Sequence, residues 1–330
     1  MQWLEQRWYR TTPLHLILLP MSVIFHMLAA TRRALYRSGI LTSAKLPVPV
    51  IVVGNITVGG SGKTPLILWL AQQLIDNGWH PGIISRGHGG TNVSPLAVSA
   101  SSSPDETGDE AVLMAQRKLS PVWIGRDRVS AARSLLHAHP ECDIILSDDG
   151  LQHYRLQRDF EIAVVDGTRR FGNGFLLPAG PLREPLSRLT QVDAVVIHGG
   201  MATIGQHSMQ LHGESFYNLL NPNTTAQAAD FIGQRLHSIA GIGHPQRFFT
   251  HLGRLGLNVQ AHPFPDHHDF TPADLVYTDA DAILMTEKDA VKCTKFANEK
   301  CWVLRVDAQL DSLLTQQILE KVTPDGRQTA

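Results

Sequence analysis

Hydrophobic residues of this chain fall into continuous runs, and the longest run comes near the start. Residues 14–30 contain no Asp, Glu, Lys or Arg, with Trp8 before the run and Arg32 and Arg33 after it. Aromatic residues at one end and cations at the other are typical of helices that span a membrane or lie at its surface. We therefore predict a membrane-attachment helix within residues 1–38. The positive-inside rule places the chain that follows it on the cytoplasmic side.

The same run permits two other interpretations. It is slightly shorter than the roughly 20 residues of a full span, and it contains His15, Pro20 and His26. A buried helix of a soluble protein is one alternative, and a cleaved signal peptide is the other. Cleavage and export would separate the nucleotide site predicted below from cellular ATP, which argues against a signal peptide.

Later apolar runs are short and rich in β-branched residues, and helix-like stretches separate several of them. This alternation predicts a mostly parallel α/β sheet. The predicted strands are residues 49–53, 82–85, 121–124, 143–147, 161–166 and 193–198. Because these strands end near residue 198, we predict that the core covers residues 39–205.

A glycine-rich loop follows the first predicted strand. Residues 54–65 read G-N-I-T-V-G-G-S-G-K-T-P, and the helix-favouring residues 66–75 come next. Strand, loop, Gly-Lys-Thr and helix form the context of a Walker A motif, whose N–H groups surround phosphate oxygens. In this motif the lysine reaches the outer phosphates and the threonine hydroxyl binds Mg²⁺. The predicted nucleotide-binding residues are Thr57, Val58, Gly59, Gly60, Ser61, Gly62, Lys63 and Thr64.

Thr57 stands where the first glycine of a Walker A motif usually lies, so the loop fits the G-G-x-G-K-T variant. A glycine-rich turn with an incidental lysine is the alternative, and the flanking strand and helix argue against it.

Two acidic pairs lie where phosphate chemistry needs carboxylates. Asp148 and Asp149 end the strand at residues 143–147, which is the Walker B pattern for Mg²⁺ or its water shell. A turn with a helix cap is the alternative for this pair. Asp109 and Glu110 begin a predicted helix. They are either first-turn acids favoured by the helix dipole or carboxylates that accept the proton of a substrate hydroxyl.

Two further segments follow predicted strands. Arg128 ends the sequence G-R-D-R after residues 121–124, a position suited to phosphate contacts and equally compatible with a surface charge. Residues 171–185 are long and rich in Pro and Gly, which is typical of a functional loop.

Composition limits the class of protein. With 330 residues, 43% of them hydrophobic and 18% charged, the chain has the composition of a folded globular protein. A net charge of −1 argues against a dedicated nucleic-acid binder. The three cysteines are widely spaced and predict no disulfide framework, which fits a reducing compartment.

Seven motifs follow one another along the chain. They are V-G-N-I-T-V-G-G-S-G-K-T-P (53–65), G-D-E (108–110), S-D-D-G-L-Q-H-Y (147–154), L-L-P-A-G-P-L-R-E-P (176–185), A-G-I-G-H-P-Q-R-F-F (240–249), F-P-D-H-H-D-F (264–270) and M-T-E-K-D-A-V-K (285–292). In this order they resemble the motifs of the tetraacyldisaccharide 4'-kinase family of lipid A synthesis. The resemblance covers about residues 12–305.

This resemblance implies an activity and an architecture. The activity is transfer of the ATP γ-phosphate, with Mg²⁺, to the 4'-hydroxyl of tetraacyldisaccharide 1-phosphate at the cytoplasmic face of a bacterial inner membrane. The architecture is an α/β protein with a P-loop NTPase-like core and an N-terminal membrane helix. A second, smaller α/β lobe, residues 206–330, completes the active cleft. The expected partners are the lipid disaccharide and the membrane surface, with no nucleic acid and no obligate protein partner.

The resemblance also implies roles for single residues. Asp109 is the expected catalytic base, paired with His267 across the lobe interface, and Lys63 acts on the phosphates. Metal-site residues are Thr64, Glu110, Asp148 and Asp149. Residues near the cleft are Arg128, Gln152 and Glu184.

Other interpretations remain open at this point. The acids and histidines of residues 266–269, together with His262, are also a candidate transition-metal site or polar loop filling. A nucleotide-driven switch or metallochaperone GTPase is a second functional class, although the chain has no N-K-x-D sequence to recognise guanine. A membrane-tethered nucleotide-binding scaffold without catalysis is a third.

Overall fold

A computed structural model describes residues 6–9 and 13–323 of the chain. The α-helices are α1 Pro13–Arg37, α2 Lys63–Asp76, α3 Pro104–Thr107, α4 Asp109–Gln116, α5 Arg128–Ala138, α6 Pro245–Arg254, α7 Glu287–Cys293 and α8 Ser312–Val322. Short 3-10 helices cover Gln6–Tyr9, Leu186–Thr190, Ala228–Phe231, Pro272–Leu275 and Thr294–Phe296.

In the part of the chain that the structure describes, fifteen strands form two sheets. They are β1 Val50–Gly54, β2 Pro81–Ser85, β3 Leu96–Val98, β4 Val122–Ile124, β5 Ile144–Asp148, β6 Phe160–Asp166, β7 Ala194–His198, β8 His207–His212, β9 Ser215–Asn218, β10 Thr225–Gln227, β11 Leu236–Ala240, β12 Val259–Pro263, β13 Ala282–Thr286, β14 Cys301–Leu304 and β15 Asp307–Gln309. The six strands predicted from the apolar runs correspond to β1, β2, β4, β5, β6 and β7.

The larger sheet has nine strands in the order β15-β8-β7-β6-β1-β5-β2-β4-β3. The seven strands from β8 to β4 are parallel to one another. The edge strands β15 and β3 are antiparallel to them. The predicted α/β core with a mostly parallel sheet is therefore confirmed. Since β1 lies between β5 and β6, the loop that follows β1 lies at the middle of the carboxyl edge, where ligands of such sheets bind.

Helices cover both faces of this sheet, which explains why its central strands are apolar throughout. Successive residues of β1 alternate between two cores: Ile51 and Val53 pack in one, and Val50 and Val52 in the other. The first core includes α2, and the second includes α5.

The smaller sheet has six strands in the order β10-β9-β14-β13-β11-β12. Its four strands from β14 to β12 are parallel, so this lobe also has a carboxyl edge, from which α6 and α7 begin. Its buried core lies between the sheet and elements such as α6, with Phe216, Phe249 and Leu252 among the buried side chains.

The sheets divide the chain somewhat differently from the predicted ranges. Strands β8 and β15 both belong to the larger sheet, although both come after residue 205. Helix α8 also packs on the larger lobe, where Leu314 and Ile318 join its core and Thr315 contacts Gln73 at 3.2 Å. The chain therefore returns to the larger lobe with β15 and α8. The domain ranges themselves stay a prediction.

Among the described residues, one helix is long and apolar enough to cross a membrane, the His15–Arg37 part of α1. Its exposed apolar side chains are Leu16, Ile17, Met21, Val23, Ile24, Met27 and Leu28. This exposure argues against the interpretation as a buried helix of a soluble protein. Residues 1–5 and 10–12 of the predicted attachment segment lie outside the described residues.

Polar contacts on the opposite side of α1 hold it against the larger lobe. The Ser22 hydroxyl donates to the Leu176 carbonyl at 2.9 Å and accepts from the Ala179 N–H at 3.0 Å. One turn before α1, the Trp8 indole donates to the Pro178 carbonyl at 3.0 Å. The helix therefore packs along the Pro/Gly-rich segment that the sequence marked as a functional loop.

Candidate active site between the lobes

The glycine-rich loop after β1 has the structure expected of a phosphate-binding loop. Helix α2 begins at Lys63, directly after Gly62, so its positive N-terminal end faces the loop. The Asn55 side chain donates to the Gly59 carbonyl and to the Ser61 hydroxyl, both at 3.2 Å. These hydrogen bonds within the loop restrain the conformation of its backbone.

Gly62 occupies a position that no other residue fits. Its φ is +90°, and a Cβ atom there would lie 2.5 Å from Nδ1 of His198. His198 ends β7, and its Nδ1 lies 3.1 Å from the Ser61 carbonyl. Burial, together with nearby Arg247, lowers the pKa of His198 to about 4, so the imidazole is neutral at physiological pH.

Lys63 and Arg183 both face the Asp149 carboxylate. The Lys63 ammonium lies 3.4 Å from one carboxylate oxygen, and the Arg183 guanidinium lies 3.1 Å from the other. Burial alone would raise the pKa of Asp149, but these two cations outweigh it and hold that pKa well below its usual value. Asp149 has a φ of +45°, a strained conformation that is uncommon outside glycine and typical of functional positions.

Asp148 has an oxygen free for a cation. Ser85 donates to one carboxylate oxygen at 2.9 Å, while the other is buried and has no hydrogen-bond partner among the described residues. Burial and the nearby Glu110 carboxylate raise the pKa of Asp148 to about 7. A bound cation would reverse this shift, so the pair Asp148 and Glu110 fits Mg²⁺ chemically.

The described residues contain no group of three or more His, Cys, Asp or Glu that could hold a metal ion unaided. The free Asp148 oxygen and the nearby Glu110 carboxylate suit Mg²⁺, which usually takes one or two carboxylates and completes its shell with substrate phosphates and water.

Asp109 and His267 form a pair across the lobe interface, in which the His267 side chain is partly exposed. His267 Nδ1 lies 3.1 Å from Asp109 Oδ2, and Asp109 itself is buried. Burial would raise the pKa of Asp109, but the hydrogen bond from His267 and the charge of Lys288 lower it to about 2. The bond to Asp109 raises the pKa of His267 against the opposing effect of burial.

The backbone at both ends of this pair is restricted. Helix α4 begins at Asp109 after Gly108, whose φ is +86° and where a Cβ atom would lie 2.4 Å from the His88 carbonyl. His267 has a φ of +59°, and its N–H donates to the Gly241 carbonyl at 3.3 Å. A glycine turn therefore aims Asp109, and a left-handed backbone conformation aims His267 from the other lobe.

Gln152 and Glu184 lie beside the phosphate loop rather than in its mouth. The Gln152 amide donates to Glu184 at 2.6 Å and to the Asn55 carbonyl at 3.1 Å. Tyr154 donates to the other Glu184 oxygen at 2.7 Å, and Arg33 of α1 lies 3.6 Å from the same carboxylate.

Arg128 supports the site from behind. Its buried guanidinium donates to the carbonyls of Gly125 and Asp148, at 3.2 Å and 3.1 Å. Burial lowers its pKa to about 10, so it stays cationic. In this geometry Arg128 fixes the end of β5, and the contact with phosphate suggested from sequence stays a prediction.

The acids and histidines of residues 266–269 turn to separate partners. His267 contacts Asp109, His268 contacts Asp274 at 3.3 Å, and His262 contacts His237 at 3.0 Å. The five residues of the candidate transition-metal set therefore do not converge on one point.

A cavity of about 730 Å³ lies between the lobes, and its lining residue Lys288 lies 4.0 Å from Asp109. Its walls include the phosphate loop, Glu110, the segment Ile242–His244, Arg247 and Lys288. Both lobes therefore contribute to one site, with the phosphate loop on the larger lobe and cationic side chains on the smaller.

Sequence reasoning missed several groups at this site: His88, Arg183, His198, Arg247 and Lys288. Arg183, Arg247 and Lys288 lie inside motifs quoted above, so their position was visible but their role was not. His88 follows β2 in the sequence R-G-H-G-G, and its ring centroid lies 5.3 Å from that of His267. A glycine-rich segment after a predicted parallel strand is the signal that could have identified His88.

A phosphate loop, a carboxylate pair behind it and an acid–imidazole pair across a cleft define a P-loop phosphotransferase. A family model described as LpxK, tetraacyldisaccharide-1-P 4'-kinase, matches residues 14–323. The chain belongs to this family, and it is a kinase, a phosphotransferase with an alcohol acceptor.

Individual proteins agree with the family model. A tetraacyldisaccharide 4'-kinase of Methylobacillus flagellatus is 53% identical over 98% of this chain and 96% of its own length. One of Azoarcus sp. strain BH72 is 51% identical over 96% of this chain and 94% of its own. A crystal structure of the "apo" form of LpxK from Aquifex aeolicus in complex with ATP superimposes with a TM-score of 0.78 and 31% identity. It covers 94% of this chain and 99% of that one.

Proposed function

We propose that this chain transfers the γ-phosphate of ATP to the 4'-hydroxyl of a tetraacyldisaccharide 1-phosphate, a step of lipid A synthesis. The observation that carries this proposal is the Asp109–His267 pair beside Lys288, which lines the same cleft as the phosphate loop. A nucleotide switch has no need of an acid–imidazole pair, whereas transfer to a hydroxyl needs a group that accepts the hydroxyl proton.

Binding of the nucleotide falls to the phosphate loop. The N–H groups of residues 59–64 and the start of α2 surround the β- and γ-phosphates. The Lys63 ammonium, which lies 3.4 Å from Asp149, neutralises charge on the phosphate oxygens. Mg²⁺, held by Thr64 with Asp148, Asp149 or Glu110, supplies further neutralisation of the triphosphate when bound.

Asp109 accepts the proton as the new bond forms. The 4'-oxygen bonds to the γ-phosphorus while the bond from that phosphorus to the β–γ bridging oxygen breaks, and ADP leaves with the electron pair. Since the low pKa keeps Asp109 ionised, the carboxylate is always ready as an acceptor. In a loose phosphoryl-transfer transition state the hydroxyl proton leaves late, so the position of the base matters more than its strength.

The acceptor assignment is tested by comparing two lipids. Purified protein with γ-labelled ATP and Mg²⁺ in detergent is expected to label tetraacyldisaccharide 1-phosphate. It should leave unlabelled the same lipid that already carries a 4'-phosphate, because no 4'-hydroxyl remains. Equal labelling of both lipids would place the reaction at another hydroxyl. ATP hydrolysis without lipid labelling would instead favour the nucleotide-switch class.

We also propose that α1 attaches the protein to the inner membrane, with the lobes on the cytoplasmic side. A row of exposed apolar side chains on α1 and the cations Arg32, Arg33 and Arg37 at its end support this placement. The acceptor is a lipid, so attachment brings the cleft to the surface where that lipid lies. The expected absence of nucleic-acid and obligate protein partners stays a prediction.

Membrane attachment is tested by a pair of matched double variants. Leu16→Gln with Ile17→Gln changes two α1 side chains that are 68% and 72% exposed. Ile232→Gln with Val276→Gln changes two small-lobe side chains that are 65% and 67% exposed. Since a buried Leu or Ile contributes about 1.5–3 kcal/mol, the α1 variant should lose at least roughly tenfold in binding to anionic phospholipid vesicles.

Vesicle flotation measures this binding, and the small-lobe variant should float like the wild type. If both variants bind alike, α1 is not the attachment site.

A further inference from the structure

Lys288 is a partly buried cation of the smaller lobe to which the proposed mechanism gives no role. Its ammonium lies 3.2 Å from Glu110, 3.4 Å from Asp266 and 4.0 Å from Asp109. The same nitrogen lies 3.5 Å from Nε2 of His267. One side chain of the smaller lobe therefore faces both members of the Asp109–His267 pair.

The backbone that carries Lys288 is tied to the backbone that carries His267. Thr286 caps the start of α7 by accepting from the Asp289 N–H, and its hydroxyl donates to the Asp289 carboxylate at 2.6 Å. That carboxylate accepts from the Gly241 N–H at 3.1 Å, and the Gly241 carbonyl accepts from the His267 N–H at 3.3 Å. Lys288 and His267 are thus placed by one set of hydrogen bonds around Gly241.

The contact with Nε2 has a chemical consequence. An ammonium has donors and no acceptor, so it approaches a ring nitrogen favourably only where that nitrogen carries a lone pair. With Nε2 as the acceptor, the proton of the neutral imidazole resides on Nδ1, where it donates to Asp109. The opposite tautomer would aim an Nε2–H at the ammonium and leave Nδ1 facing the Asp109 carboxylate without a proton between them.

We propose that Lys288 is a positioning residue for phosphoryl transfer, which fixes the Nδ1–H tautomer of His267 and thereby the direction of the Asp109 carboxylate. The proposal rests on the proposed roles of Asp109 and His267. Other groups that face His267 are Asp266, whose carboxylate lies 3.9 Å from Nε2, and the His88 ring. Neither of them selects this tautomer. The Asp266 carboxylate favours a proton on Nε2, which is the opposite tautomer. The His88 contact is between the two rings and favours neither nitrogen.

The chain offers a matched control for this lysine. Lys295 follows α7 on the same lobe and also reaches across to the larger lobe, where it lies 3.2 Å from Asp105. Its side chain is 69% exposed, so Lys295→Met removes an inter-lobe ion pair away from the cleft. A loss shared by Lys288→Met and Lys295→Met would reflect lobe contact alone.

Kinetics and nucleotide binding make the first test. Lys288→Met should lower kcat by roughly 10- to 100-fold, the effect of a misplaced catalytic group, while ATP affinity stays unchanged. Lys288→Arg should restore part of kcat, because it returns a cationic donor. Lys295→Met should behave like the wild type. A weakened ATP affinity with an unchanged kcat would overturn the proposal by making Lys288 a nucleotide contact.

Imidazole ¹⁵N NMR makes the second test and does not depend on activity. In protein labelled with ¹⁵N-histidine, the His267 signals are assigned by their loss in His267→Gln, and a protonated ring nitrogen differs strongly in shift from an unprotonated one. At a pH above the raised pKa of His267, where the ring is neutral, the wild type should show Nδ1 protonated and Nε2 unprotonated, and Lys288→Met should show a mixture or the other tautomer. An Nε2–H tautomer in the wild type, or no change in Lys288→Met, would overturn the proposal. If the lipid-kinase proposal failed, labelling would be absent even in the wild type while this readout remained.

Discussion

Asp109→Asn is expected to lower kcat for lipid phosphorylation on the order of 10³-fold, within the range for loss of a general base. The amide keeps the size of the carboxylate, and its oxygen can still accept from His267. What it loses is the negative charge and the ability to take the hydroxyl proton. ATP affinity should change little, since the phosphate loop makes the nucleotide contacts.

Initial rates with saturating ATP and lipid measure the change in kcat. Equilibrium binding of ATP measures the ATP affinity. Asp105→Asn is the control, because Asp105 is an exposed acid close in sequence that pairs with Lys295. Activity of Asp109→Asn within about tenfold of the wild type would remove Asp109 from the role of base.

Lys63→Met is expected to lower kcat/KM for ATP by roughly 10³-fold, near the upper end for loss of one charge-stabilising donor. Unlike the Asp109 change, it should weaken both ATP binding and turnover, since the ammonium acts on the phosphates in the ground state and in the transition state. It also leaves the Arg183 guanidinium 3.1 Å from Asp149.

Steady-state kinetics against ATP concentration separate the two effects. Lys321→Met is the control, because Lys321 is an exposed lysine that pairs with Asp193 far along the chain from the loop. A Lys63→Met protein with wild-type kcat and only a raised KM would show that the ammonium binds ATP without stabilising the transition state.

The sequence predicted well what neighbouring residues determine. The six core strands were visible because strands covered by helices on both faces are apolar throughout, and the phosphate loop was visible because strand, glycines, lysine and helix are contiguous. Strands β8 and β15 were not predicted, since the sequence H-S-M-Q-L-H and a three-residue edge strand contain no continuous apolar run.

Other features depend on distant parts of the chain and left no local pattern. Lys288 is an ordinary helix residue until α7 packs across the cleft beside α4. Arg128 has the composition of a surface arginine, yet its guanidinium is buried against carbonyls at the end of β5. The pairing of Asp109 with His267 followed from family resemblance, because spacing alone does not bring residues so far apart in the chain together.

The contacts of α1 fix the distance between this helix and the phosphate loop. From the helix, Arg33 contacts Glu184, Glu184 accepts from Gln152, and Gln152 donates to the backbone of Asn55 at the base of the phosphate loop. Three side-chain contacts make up this path, and it contains no loop or linker as a spacer. If α1 lies at the bilayer, the structure of the protein fixes the distance from the lipid plane to the transferred phosphate. A sugar hydroxyl then reacts only when its lipid holds it at that depth, so selectivity comes partly from geometry normal to the membrane.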